Sequence, residues 1–364
     1  GKPYVLRLRS QGSPENEITF TDSIKGEIKL PENIHDVVLL KKDGIPTYHF
    51  AHAIDDHLMR TTTVVRGGEW LASAPIHYEL FHLLGFKMPA YAHTAHLMKF
   101  DEETGGKRKL SKRKDPELSL DYYRKDGYHP YTMKVYLLTL LNSNFEEWHE
   151  KFPDKDINEF PFSVEKMNQS GALFDKDKLH NICKNELSKL SEEELYDFLY
   201  DWAKENEPEN VEKWFGDREK MLQILRLYMG VGAKRRRKDL MYAKQIFELI
   251  SYFFDGESAE EMDEFKLDED MVSKILKSYL AKYDHNDDNS VWFNKLKEIA
   301  DEHGFASDMK AYKANPENFK GNVSDIAEAV RIAVTGRANT PDLWTIVHIM
   351  GEEQMTERIK KHIK

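Results

Sequence analysis

The sequence predicts a multidomain chain that is α/β in its first part and all-α afterwards. Three observations carry the prediction. Up to about residue 45, short alternating runs are separated by Gly, Pro and Asn turns. Between residues 46 and 100, helix-spaced and β-branched runs take turns, as in half of a parallel α/β sheet. After residue 118 helical spacing dominates to the C-terminus. A length of 364 residues is enough for two or three domains.

The elements follow in order. Tyr4 to Arg9 alternates, Ile18 to Thr21 and Gly26 to Leu30 read as strands, and Val37 to Leu40 is a short buried-type run stopped by Lys42-Asp43-Gly44. These make a small β-rich module. Tyr48 to Met59 has helical spacing, Thr62 to Arg66 is β-branched, Leu71 to Leu84 is an apolar-periodic helix ended by Gly85, and Ala90 to Phe100 reads as strand. Ligands on such sheets bind where strands end. Thr132 to Leu141, Ser191 to Ala203, Leu240 to Phe254 and Val323 to Val334 are the clearest later helices, and Ser191 with Glu194 forms a capping box. Asp255 to Asp270 is acidic and reads as a linker or loop, and Asn315 to Asn318 is another break. No internal repeat is visible.

Composition narrows the function classes. Apolar residues make up 40 % and mean hydropathy is negative, which suits a folded soluble protein. No apolar run approaches the ~18 residues of a membrane span. Gly1 to Arg7 lacks the shape of a signal peptide and reads like mid-protein sequence with a strand under way. The single Cys183 cannot form an internal disulfide and points to a reducing, cytoplasmic setting. No Cys/His spacing suits structural zinc.

The net charge of -11 argues against non-specific nucleic-acid binding but leaves room for local basic patches. Lys107 to Lys114 is such a patch, with six cations in eight positions after Gly105-Gly106. Two lysines on a hinged loop suit the charge that develops on a triphosphate and its leaving pyrophosphate. A solvated turn or a localisation signal is the plainer alternative, and the position after a strand favours phosphate. A second patch, Lys234 to Lys238, holds five uninterrupted cations and suits RNA phosphates or a base edge.

Thr47 to His52, with Arg66 and Gly67-Gly68-Glu69-Trp70, stand at the edges of a helix and a strand. An Arg and a Tyr hydroxyl there can bind a carboxylate, a Trp can cover adenine, and an acid can hold ribose or ammonium. Core packing for Tyr48 and Trp70, and a satisfied helix histidine for His52, are the commoner roles of such residues. Asp55-Asp56 reads as a polar helix face rather than a metal pair. Gly-rich P-loop, GxSxG and HExxH motifs do not occur.

Asp43 to Ala51, Asp55-Asp56-His57, Val65-Arg66-Gly67, Glu69-Trp70, Pro75-Ile76, Lys109-Leu110-Ser111-Lys112-Arg113, Ser119 to Tyr123, Gly127 to Pro130, Leu173 to Leu179 and Ala333 to Gly336 together resemble bacterial glutamyl-tRNA synthetase, a class I aminoacyl-tRNA synthetase. The motifs are ordered and spread over the chain.

The resemblance implies a partial Rossmann half-sheet within a fixed order of domains. Residues 1–45 would be the remainder of a connecting, acceptor-binding module, and 46–115 the second Rossmann half. Residues 116–165 would be a stem-contact region, 166–300 a helical anticodon-binding domain and 301–364 its C-terminal subdomain. It implies ATP-dependent attachment of glutamate to tRNA through glutamyl-adenylate, by a monomer that uses ATP with Mg2+ and no protein-held metal. Lys109 and Lys112 would be the catalytic lysines of a KMSKS-like loop. Tyr48, His52 and Arg66 would line the glutamate pocket. Glu69, Trp70, Leu97, Lys109, Ser111 and Lys112 would hold ATP, and Arg235, Arg236 and Arg237 would touch tRNA. His52 departs from the family's usual Asn and Gly68 from an acid. No His-x-Gly-His occurs, so the chain is expected to be a C-terminal fragment, inactive alone. A tRNA-binding module without catalysis is the alternative. Glutaminyl-tRNA synthetase fits less well, because residues 165–364 read helical. Whether the tRNA is glutamate-specific or also glutamine-specific stays open.

Overall fold

The computed structural model describes residues 4–101, 103–254 and 262–364. It divides into two compact units, Gly1–Ser119 with Met133–Leu179, and Leu120–Thr132 with His180–Lys364.

In the first unit β1 (Leu6–Arg7) pairs with a later strand, β4 (Val38–Leu40), while β2 (Glu17–Asp22) and β3 (Gly26–Pro31) form an antiparallel hairpin. Gly26 closes its turn at φ +77, a conformation that favours glycine. The helix α1 (Tyr48–Leu58) leads to β5 (Thr63–Gly67), then α2 (Ala74–Leu83) and β6 (Ala90–Thr94). β5 and β6 are parallel, from Thr63 opposite Ala90 to Gly67 opposite Thr94, so the expected βαβ unit is present.

The hairpin also joins this sheet. β2 meets β6 in parallel at Asp22 and Tyr91, giving the strand order β3-β2-β6-β5. Alternate burial along β2 explains the docking. Ile18 and Phe20 turn inward with Ala74 at the start of α2, and Asp22 follows on the same buried face. On α1 and α2, Ala53, Leu80 and Phe81 form a second cluster with Leu8 and Leu39.

Several element boundaries differ from expectation. Residues 90–100 form two strands in separate sheets, β6 and β7 (Leu97–Phe100), and β7 pairs antiparallel with β8 (Lys107–Lys109) and parallel with β9 (Ala172–Leu173). The first three residues of the basic run are therefore strand. The helix expected from Leu71 begins with a 3-10 turn over Gly68–Ser73, and regular α geometry starts at Ala74, with Pro75 where no backbone N–H is needed.

In the second unit the described residues from His180 onward contain helices and 3-10 turns and no named strand. One apolar cluster runs through it, with Leu199, Trp214, Phe247, Ile275, Leu296 and Val330 among its members. The capping box at Ser191 and Glu194 is present, and Asn322 with Asp325 forms a second. The helix expected from Leu240 starts at Ala243 and ends in a 3-10 turn at Ser251–Phe253. Of the acidic segment, residues 255–261 lie outside the described residues, and its last residues start the helix Glu269–Lys282, capped by Asp268. The break at residues 315–318 is one 3-10 turn, Pro316–Asn318. Among the described residues no helix is long and apolar enough to cross a membrane.

Candidate active site

The Thr47 hydroxyl donates to the Val38 carbonyl at 2.7 Å and fixes the turn from β4 into α1. Tyr48, His49, His52 and Asp56 then recur at helical spacing along α1. Across the sheet Arg66 lies opposite His93, and Tyr91 shares the His93 face two residues earlier. The Arg66 guanidinium carbon sits 4.5 Å from the Tyr91 ring centre.

Arg66 anchors a chain of buried hydrogen bonds. Its Nε–H donates to His93 Nε2 at 2.9 Å, and Nη1 lies 3.0 Å from His77 Nδ1. Arginine only donates, so both ring nitrogens accept. The His93 proton then sits on Nδ1 and is donated to Asp22 Oδ2 at 2.6 Å, and the His77 proton sits on Nε2, 2.9 Å from His49 Nδ1.

The electrostatics agree with these neutral forms. Burial, reinforced by nearby His52 and Arg66, pushes His77 down to about 2. Burial lowers His93 despite its bond to Asp22, and lowers His49, with Arg66 adding to it. Burial alone would raise Asp22, but the bonds from His93 and from the Lys25 and Ile24 backbone N–H groups outweigh it and hold the carboxyl below its usual range. Arg66 is 9 % exposed, and its Nη2 is buried without a hydrogen-bond partner.

Tyr48 stacks on His52 with ring centres 5.7 Å apart and leans on Trp70 at 4.2 Å. His52 Nε2 lies 2.7 Å from the Tyr91 hydroxyl, and Nδ1 contacts the Asp56 carboxylate. Burial lowers the His52 pKa, with Asp56 opposing. Tyr48, His52 and Arg66 are thus gathered around Tyr91 and His77, and Trp70 joins them through Tyr48. Asp56, on the polar helix face, is the partner of His52. At Gly68 an added Cβ would lie 3.2 Å from the Thr94 carbonyl, so an acid there would require a shift of a few tenths of an ångström.

Of the ATP candidates, Glu69 and Leu97 meet the basic hairpin, while Trp70 stands against Tyr48. The Glu69 carboxylate lies 3.4 Å from His96 Nδ1 and 4.0 Å from Lys109 Nζ. The Leu97 carbonyl accepts from the Leu110 N–H at 3.0 Å, and the Leu110 side chain is buried. The hinged loop is tied down at its base. Arg108 grips the buried Asp115 carboxylate through both Nη atoms at 2.7 Å, and the Ser111 N–H donates to it at 2.7 Å. The bond from Arg108, with that from Ser111, holds Asp115 far below the usual carboxylate range. Lys112, Arg113 and Lys114 remain exposed beyond this clamp.

In the second unit, Gly230 ends the helix Arg218–Met229 at φ +66, and the Arg237 N–H returns to the Met229 carbonyl at 2.9 Å. Arg235, Arg236 and Arg237 are exposed on the resulting loop, and Arg237 Nε donates to Asp239 at 2.7 Å. Arg235, Arg237, Arg226 and His348 line a groove of about 650 Å³. Among the described residues no group of three or more His, Cys, Asp or Glu could hold a metal ion.

Asp22, His77, Tyr91, His93 and Asp115 carried no role in the sequence reading. Tyr91 and His93, two apart on a strand, offered a weak signal. Asp22, 71 positions from His93, offered none.

A parallel βαβ unit with a clamped basic hairpin, followed by a helical region, defines a class of protein. Residues 1–181 match the family described as tRNA synthetases class I (E and Q), catalytic domain, and residues 194–363 match the anticodon binding domain. The chain is 53 % identical over 360 residues to the glutamate–tRNA ligase of Acetivibrio thermocellus, covering 98 % of this chain and 65 % of that protein. It is 32 % identical over 372 residues to the glutamate–tRNA ligase of Alkaliphilus metalliredigens, covering 100 % of this chain and 68 % of the relative. The crystal structure of a glutamate tRNA ligase from Elizabethkingia meningosepticum, in complex with its amino acid, shares the fold with a TM-score of 0.69 at 24 % identity, over 99 % of this chain and 68 % of the other. The chain belongs to the glutamate–tRNA ligase family of class I tRNA synthetases. It spans about two thirds of the length of these relatives.

Proposed function

We propose that this chain serves the ATP-dependent attachment of glutamate to tRNA, and that Arg66 holds a carboxylate of the amino acid beside Tyr48 and His52. One observation carries the reading: among the described residues, a buried guanidinium touches no carboxylate and keeps Nη2 unpaired. Buried charges are ordinarily paired. A ligand carboxylate would complete this one with charge-assisted hydrogen bonds.

ATP, taken with its magnesium, belongs at the basic hairpin. Lys109 and Lys112 would meet its phosphates, and Glu69, Trp70, Leu97 and Ser111 would border the nucleotide. The residues fit such a ligand. Asp115 fixes the base of the hairpin while the exposed cations beyond it stay available. Carboxylate attack on the α-phosphate needs no activated side chain, so the protein acts by positioning and charge stabilisation.

Arg235, Arg236 and Arg237 would meet tRNA phosphates or bases. Their groove also supports a narrower reading, a tRNA-binding module without catalysis. Two measurements separate the readings. NMR titration with glutamate should shift the signals of Arg66, Tyr48 and His52, and Arg66→Ala should abolish the shifts at the other two. Salt-dependent binding of a glutamate tRNA, with a glutamine tRNA as comparator, should persist. A chain blind to glutamate yet tight on tRNA establishes the narrower reading, and one blind to both overturns the two.

A further inference from the structure

Two arginines of the first unit receive opposite treatment. Arg108 is forked onto the Asp115 carboxylate, which neutralises it. Arg66, more deeply buried, is held by two imidazoles and the face of a tyrosine. An imidazole accepts a hydrogen bond without supplying a negative charge. The nearest carboxylate in the network, Asp22, stands one ring away, behind His93.

We infer that His77 and His93 are positioning residues that orient Arg66 while leaving its charge uncompensated for an anionic ligand. Asp22 and His49 set the tautomers that make this possible. His93 must present a bare Nε2 and His77 a bare Nδ1, and each does so only while its other nitrogen gives a proton to its own partner. The geometry leaves Nη2 as the donor that faces no acceptor among the described residues. The inference rests on the proposed carboxylate role of Arg66 and adds the device that reserves it.

A pair of near-isosteric variants separates charge from support. In His77→Asn a carbonyl oxygen can replace Nδ1 as acceptor. In His77→Asp a carboxylate takes the same place and pairs with Arg66 directly. Both supply an acceptor, so a purely structural role predicts similar behaviour. The charge-reserving role predicts that His77→Asn binds glutamate within about threefold of the parent chain. It predicts that His77→Asp binds at least about tenfold more weakly, the scale of one charge-assisted hydrogen bond, with a melting temperature no lower than that of His77→Asn. Equal glutamate affinities in the two variants would overturn the inference.

Long-range proton–nitrogen NMR of the parent chain decides the geometry independently. At neutral pH, His93 Nε2 and His77 Nδ1 should carry no proton, and a proton on either refutes the inference. If the parent chain takes no glutamate but shows these tautomers, the proposed carboxylate function fails while the neutral cradle stands.

Discussion

Lowering the pH from 7 to 5 should destabilise the first unit through His77. The side chain is fully buried, and His49 and His52 on α1, Arg66 on β5 and His93 on β6 crowd it. Its proton affinity falls from an ordinary 6.5 to about 2 on folding. The unfolded chain therefore takes up a proton that the folded chain refuses. Stability from this group is complete above pH 6.5 and drains as pH falls toward the folded value. Over this pH interval the unfolded histidine gains a factor of about 25 in its proton-binding term, or about 2 kcal/mol. The comparison is the parent chain against His77→Asn, which has nothing to titrate at that site. Because the chain has two compact units, unfolding is best followed in urea by hydrogen exchange of α2 peptides. The parent should lose about 2 kcal/mol more than the variant between the two pH values. Equal losses would show that His77 already carries a proton when folded, or is not buried as described.

Other outcomes follow from single contacts. Gly127 has φ +78, and an added Cβ would lie 2.4 Å from the Ala243 Cβ and 2.7 Å from Trp202 Nε1, so Gly127→Ala should cost about 3 kcal/mol in chemical denaturation. Asp115→Asn should loosen the basic hairpin, with amide exchange at Leu110 and Ser111 roughly tenfold faster and α2 unchanged, since the charge that holds Arg108 is gone. Replacing Arg235, Arg236 and Arg237 by Gln should weaken tRNA binding and flatten its log–log salt dependence by about two to three, in filter binding across a salt series.

The parts legible in sequence were those encoded locally. Helical spacing from Tyr48 and the β-branched run at Thr63 place α1 and β5 within a residue or two. The cation density at 107–114 marks the hairpin without revealing that Arg108 is spent on Asp115. Burial against α2 decided what periodicity could not, namely that the β2–β3 hairpin extends the sheet. The histidine cradle was illegible for a related reason. His49, His77 and His93 sit on three elements, and their meaning arises only when Arg66 stands among them. A lone histidine in each local pattern reads as a satisfied core residue.

Asp22 links two events that the chain writes far apart. Its Oδ1 accepts from the Ile24 and Lys25 N–H groups and so shapes the turn of the β2–β3 hairpin, while its Oδ2 sets the His93 tautomer behind Arg66. The arginine is therefore poised only in molecules whose hairpin has docked. On the proposed reading of Arg66, a substitution in that hairpin, remote from the arginine, would register as lost glutamate affinity and would be mistaken for damage to the pocket itself.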